Sequence, residues 1–134
     1  MAYCFARFVS RLCCLLPGCF CERLGIFLGA LTWYLVPSRR REMAVNNARV
    51  CLGLDERRAR QIVRDSWIRF GPMLFEVMRF PVLKARFLDL VEIEGEEYLR
   101  EGLALGRGAV IATAHSGNWE LMGGALSAAG FPIV

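Results

Sequence analysis

The residues best equipped for chemistry sit in one short run, AHSGNWE, which holds the only histidine of the chain, His115, and a carboxylate five positions later, Glu120. Histidine is the side chain whose ordinary pKa suits proton transfer near neutral pH, so it can take a proton from an alcohol attacking an acyl group. Such a base needs an orienting partner, and a carboxylate that accepts a hydrogen bond from one ring nitrogen fixes the tautomer and steadies the imidazolium formed during reaction. Glu120 is the candidate for that role. Gly117 permits close backbone approach, and Ser116 or Asn118 can cap a following helix. A lone histidine is also a common structural residue, so residue types alone leave both roles open. The run contains neither the HExxH of zinc proteases nor the GxSxG of hydrolases, and Ser116, adjacent to His115, is poorly placed to share one reaction centre with it.

The elements that must position this run divide the chain into a helical first half and a second half that alternates patterns. Pro17-Gly18 and Pro37-Ser38 bound one apolar helix, and a second runs over residues 40–52 and stops at Gly53. Asp55 caps a longer helix in which Val63, Trp67, Phe70, Leu74 and Val77 recur at three- and four-residue steps, predicting a stripe that faces a core, with Pro81 as its end. From residue 90 the pattern LVEIEG alternates like a short strand, and EEYLREGLALGRG reads as a helix closed by glycine. The apolar run AVIATA, residues 109–114, predicts a strand buried on both faces of a parallel sheet; NWELMGGALSAAG predicts a helix, and FPIV a further strand. This order predicts an α/β fold: N-terminal helices, then the first part of an open, mostly parallel sheet with flanking helices. His115 then stands at a strand's carboxyl end, where such sheets bind ligands. Few strands are present for such a sheet, which reads as part of a larger domain.

Composition favours a membrane surface over nucleic acid. Apolar residues make up 55% of the chain, and mean hydropathy is +0.36. The overall charge of +4 is concentrated at the N-terminus, where Arg7, Arg11, Arg23, Arg39, Arg40 and Arg41 face Glu22 alone across residues 1–41. A basic, apolar end beside a near-neutral body suits anionic lipid, whereas a nucleic-acid binder carries a basic stripe over its folded face. The uncharged run LGIFLGALTWYLV, residues 24–36, is shorter than the roughly 20 residues of a spanning helix. It reads as an interfacial or core helix with Trp33 and Tyr34 at headgroup level. The division expected is residues 1–38 as a membrane-associating helical segment and residues 39–134 as the catalytic portion. Of six cysteines, five crowd into residues 4–21 and only Cys51 lies apart, which argues against a disulfide framework or a zinc site.

AHSGNWE resembles the H-x4-D/E motif of the glycerolipid acyltransferases, in the form found in the lipid A biosynthesis acyltransferases of the lauroyl and myristoyl type. The likeness extends through RREMAVNNARVCLG, RQIVRDSWIRFGPMLFEVMRFP and VEIEGEEYLREGLALGRGAVIATAH, so it covers almost the entire chain. The resemblance implies an enzyme at the cytoplasmic face of the inner membrane. It would move a fatty acyl chain from acyl carrier protein to a hydroxyl of a membrane lipid acceptor, a lipid A precursor, with neither metal nor cofactor. It assigns His115 as general base and Glu120 as orienting acid, with Ser116, Gly117, Asn118 and Trp119 positioning substrate. Phosphatidylinositol mannoside acyltransferases share this motif grammar and are the alternative. A non-catalytic membrane-binding protein, in which the histidine loop is structural, is the rival from another class.

Overall fold

A computed structural model describes residues 2–133; Met1 and Val134, where the expected last strand would end, lie outside the described residues. The described chain forms two compact units that meet in sequence between Arg79 and Phe80. Pro37 lies inside the first unit, at a bend between two helices.

The first unit holds α1 (Ala2–Leu15), α2 (Gly18–Leu35), α3 (Ser38–Leu52) and α4 (Glu56–Met78). Pro17 and Pro37 each precede the first residue of a helix, where the missing N–H costs nothing. The Asp55 side chain accepts a hydrogen bond from the Arg58 amide at 2.9 Å and starts α4, as expected, and Gly53, with φ +64°, ends α3 in the left-handed conformation. Arg60 of α4 ties α3 to it through Glu42 at 3.0 Å, with Glu56 as a second partner.

The main contact of this unit is α2 against α4, made by glycine. A Cβ placed on Gly25 would lie 2.6 Å from the Pro72 nitrogen, and one on Gly29 would lie 2.5 Å from the Ile68 carbonyl oxygen. That carbonyl is the one left without its helical donor because Pro72, four residues later, has no N–H. Gly29 therefore packs on the oxygen freed by the proline. Above this contact Trp67 donates its indole N–H to the Thr32 hydroxyl at 3.1 Å, and its ring meets Trp33 edge to face with centroids 6.5 Å apart.

This arrangement overturns two expectations. The apolar stripe of α4 is not core: Trp67, Phe70 and Leu74 stay 41%, 48% and 44% exposed, and Trp67 and Phe70 line an open groove of about 470 Å³. Small residues allow a backbone approach that the bulky stripe forbids, so α4 turns its Ile68–Gly71–Pro72 side to α2. Trp33 is buried under the Arg41 guanidinium, and only Tyr34 of the pair is exposed. No single helix among the described residues is long and apolar enough to cross a membrane; α2 and α3 together have the length and composition, but bend by 105°.

The second unit contains α5 (Phe80–Leu83), a single 3₁₀ turn (Lys84–Arg86), α6 (Phe87–Leu90), α7 (Glu96–Ala104) and α8 (Trp119–Ala128). Pro81 falls within α5 rather than ending the preceding helix, which stops at Met78. Phe80 and Phe87 pack edge to face at 4.9 Å, and both rings press on Gly124 of α8. The end of α8 is a Schellman motif: Phe131 N–H bonds the Leu126 carbonyl at 3.0 Å, Gly130 N–H bonds that of Ser127 at 3.1 Å, and Leu126 and Phe131 are buried.

The expected α/β sheet is absent: the described residues contain helices and turns but no strand. Residues 109–114 have no regular secondary structure and are exposed throughout, with Val110 at 99%, and no backbone hydrogen bond joins them to another described segment. The physical reason lies in what stands between the candidate strands. Residues 91–94 and 109–111 line an apolar cleft of about 690 Å³ with Leu121, Met122, Ala125 and Leu126, so they face open space where a ladder would need hydrogen-bonded backbone. An apolar run of strand length is not enough; a strand further requires paired neighbours.

Candidate active site

Local backbone chemistry places the histidine. At the end of the apolar run the Ser116 amide bonds back to the Ala114 carbonyl at 2.8 Å, which closes a tight turn around His115. Gly117 follows with φ +62°, a conformation that a side chain would strain although the space beside it is open. The chain then enters α8 through Asn118, whose side-chain oxygen accepts the Leu121 amide at 3.2 Å. Of the two caps the sequence permits, asparagine is the one used.

The turn brings His115 back over the helix it precedes. Its ring lies 4.5 Å from that of Trp119, centroid to centroid, at an interplanar angle of 61°. This edge-to-face arrangement is one that aromatic rings favour. His115, Ser116, Gly117 and Glu120 are exposed, while Asn118 and Trp119 are half-buried. Glu120 stands in the first turn of α8, where the helix dipole favours a carboxylate. Among the described residues no hydrogen bond or ion pair joins Glu120 to His115. The structure therefore gathers the motif into one turn and pairs the histidine with Trp119. The spacing predicts Glu120 as the partner of His115, whereas the group in contact with its ring is Trp119, four positions along.

Beside this turn, Asn118, Leu121 and Met122 also line the apolar cleft of the second unit, whose rim carries Glu92, Glu94 and Glu96. The histidine thus precedes a helix with one side on an apolar cleft, an arrangement able to place a proton acceptor near a lipid chain.

In the first unit, Arg79 donates to the carbonyls of Cys13 and Leu16 where α1 ends, and in the opposite direction the Ser10 hydroxyl donates at 2.7 Å to the carbonyl of Met78, the last residue of α4. All six cysteines are free thiols. Burial pushes the Cys13 thiol above its usual range, aided by neighbouring Cys21 and Cys14 and opposed by Arg79.

Comparison with known proteins agrees with the motif. Two phosphatidylinositol mannoside acyltransferases, from Mycobacterium tuberculosis strains CDC 1551 / Oshkosh and ATCC 25618 / H37Rv, are each 45% identical to the chain over 58 residues. The match takes in 40% of this chain and 18% of each relative, so the chain spans only a minor part of their length. No solved structure matches. The family model for bacterial lipid A biosynthesis acyltransferases matches residues 2–132, with the His115 turn inside the match, and the chain belongs to that family.

Proposed function

We propose that the chain carries part of a lipid acyltransferase that moves a fatty acyl group from acyl carrier protein to a hydroxyl of a lipid A precursor at the cytoplasmic face of the inner membrane. The observation that carries this reading is the His115 turn, with Glu120 in the first turn of α8, inside a family match over residues 2–132. In the reaction His115 takes the proton of the acceptor hydroxyl as its oxygen attacks the thioester carbonyl. The C–O bond forms, the C–S bond breaks, and the imidazolium returns the proton to the departing thiolate. Glu120, on reorienting toward the ring, stabilises the imidazolium. Ser116, Gly117 and Asn118 hold the turn against which the acceptor is positioned.

Membrane engagement belongs to the same proposal. Phe5, Phe8, Leu12 and Leu15 share one face of α1 by helical spacing and are all exposed, with Arg7 and Arg11 on the adjoining face. Such a helix lies in a lipid interface with its cations among anionic headgroups. An acyltransferase acting on a lipid acceptor needs this placement.

The mycobacterial relatives favour a second acceptor, phosphatidylinositol mannoside. Acyl transfer from acyl carrier protein to each acceptor in parallel distinguishes the two. Turnover of the lipid A precursor that falls by about a hundredfold or more in His115→Ala is the expected result; transfer to neither acceptor sinks both readings.

A further inference from the structure

We infer that Trp119 is the positioning residue for the His115 imidazole, holding the ring of the base rather than touching substrate. The inference rests on the reading of His115 as the base and names what aims it. An exposed imidazole turns about two side-chain bonds, and a general base contributes only when its nitrogen is within hydrogen-bond reach of the proton it takes. Something must restrict that rotation before substrate arrives. Glu120 makes no hydrogen bond or ion pair with His115 among the described residues, whereas the Trp119 ring lies 4.5 Å away at 61°. Trp119 is half-buried at the first position of α8, its backbone fixed by the Asn118 cap, so it offers a rigid surface. The Ser116–Ala114 hydrogen bond and the left-handed Gly117 bring the imidazole back to that surface. In a turn built this way, the indole limits the ring's orientations and leaves its other edge to solvent and acceptor.

Because the chain has one histidine, its ring protons report the contact directly by NMR without ambiguity. In the native protein and in Trp119→Phe, ring current should displace the His115 ring signals from those of a free imidazole; in Trp119→Ala they should relax toward them. In acyl transfer, Trp119→Ala should lower kcat by about tenfold or more with little change in KM, since misplacing a catalytic group costs up to about a hundredfold. Trp119→Phe should restore most of the rate. Circular dichroism of Trp119→Ala checks that α8 remains folded. Unmoved ring signals in Trp119→Ala overturn the inference, as does a loss confined to KM or a phenylalanine that rescues nothing. Turnover surviving His115→Gln defeats the base reading together with the inference. Turnover lost in His115→Gln but intact in Trp119→Ala defeats the inference alone.

Discussion

Gly71 of α4 lies directly against the Gly25 carbonyl of α2, so close that neither residue can carry a side chain. Replacing Gly25 or Gly29 by leucine must push α2 off α4 and separate Trp67 from Thr32. Overpacking of this kind typically costs about 1–3 kcal/mol, and displacement of backbone raises the figure. Urea unfolding followed by tryptophan fluorescence should show a lower midpoint for either variant. Gly123, with open space beside it, should accept alanine without such a loss.

Reciprocal capping between α1 and α4 leads to a second expectation. Arg79 serves the carbonyls of Cys13 and Leu16, and Ser10 serves that of Met78. Carbonyls at a helix end have no intrahelical donor, and a charged donor bonded to them is worth about 1.5–3 kcal/mol. Arg79→Met should therefore destabilise the first unit by about that amount, and Ser10→Ala by about 1 kcal/mol. Chemical denaturation of both variants and of the double variant measures the two caps.

Much of the helical framework could be read directly because its signals are local. Pro17, Pro37, Gly53 and Asp55 act through their own backbone or side chain on residues no more than a turn away, and each stands at the helix boundary expected of it. The α2–α4 contact was also written in the chain, as Gly25 and Gly29 four apart and Gly71 beside Pro72. Its partners, Gly25 with Pro72 and Gly29 with Ile68, are 47 and 39 residues apart, and the bulky stripe at Trp67 and Phe70 offers a second apolar face on the same helix. Residues 109–114 differ from the expected strand because Val110, Ile111 and Thr113 favour a strand only where a sheet receives them, and pairing depends on segments elsewhere. The His115 turn was legible as a strand-like run, glycine and cap. The ring contact between His115 and Trp119 is not legible in the spacing, because it depends on the turn at residues 114–117 that carries His115 back toward the start of α8.

Cysteine reactivity should follow burial. Cys4, Cys19 and Cys51 are exposed, while Cys13 and Cys21 are buried. Since only the thiolate reacts, Cys13, whose pKa burial raises, should alkylate last along with Cys21. Timed N-ethylmaleimide labelling with peptide mass analysis gives the order; early labelling of Cys13 contradicts it. The same shift gives a sign for stability. The unfolded thiol loses its proton at lower pH than the folded one, so stability from this group holds below the unfolded value and declines as pH rises toward the folded one.

Binding to lipid tests the exposed face of α1. With Phe5, Phe8, Leu12 and Leu15 outward and Arg7 and Arg11 alongside, the protein should pellet with vesicles containing phosphatidylglycerol and much less with purely zwitterionic ones. Each cation near an anionic surface contributes about 1 kcal/mol, a term that salt screens. Arg7→Gln with Arg11→Gln should weaken pelleting by about tenfold or more. Phe5→Ser with Phe8→Ser should weaken it on both kinds of vesicle, because apolar burial does not depend on headgroup charge. Unchanged pelleting in both double variants removes α1 from the membrane-binding surface.

The separation of His115 from Glu120 makes the two side chains distinguishable by kinetics. A base removed outright, as in His115→Ala, should lower kcat by about 10²–10⁴-fold, the range expected of general acid–base catalysis. In the proposed mechanism Glu120 acts through the ring, and in this structure the group in contact with that ring is the Trp119 indole, at 4.5 Å. Glu120→Gln should therefore cost less than His115→Ala and leave KM for the acyl donor nearly unchanged. If the carboxylate moves onto the imidazole when the acceptor binds, the two substitutions are coupled, and the double variant should be little slower than His115→Ala alone. A double variant whose losses simply multiply shows instead that Glu120 works independently of the histidine, in positioning the acceptor or in supporting the start of α8.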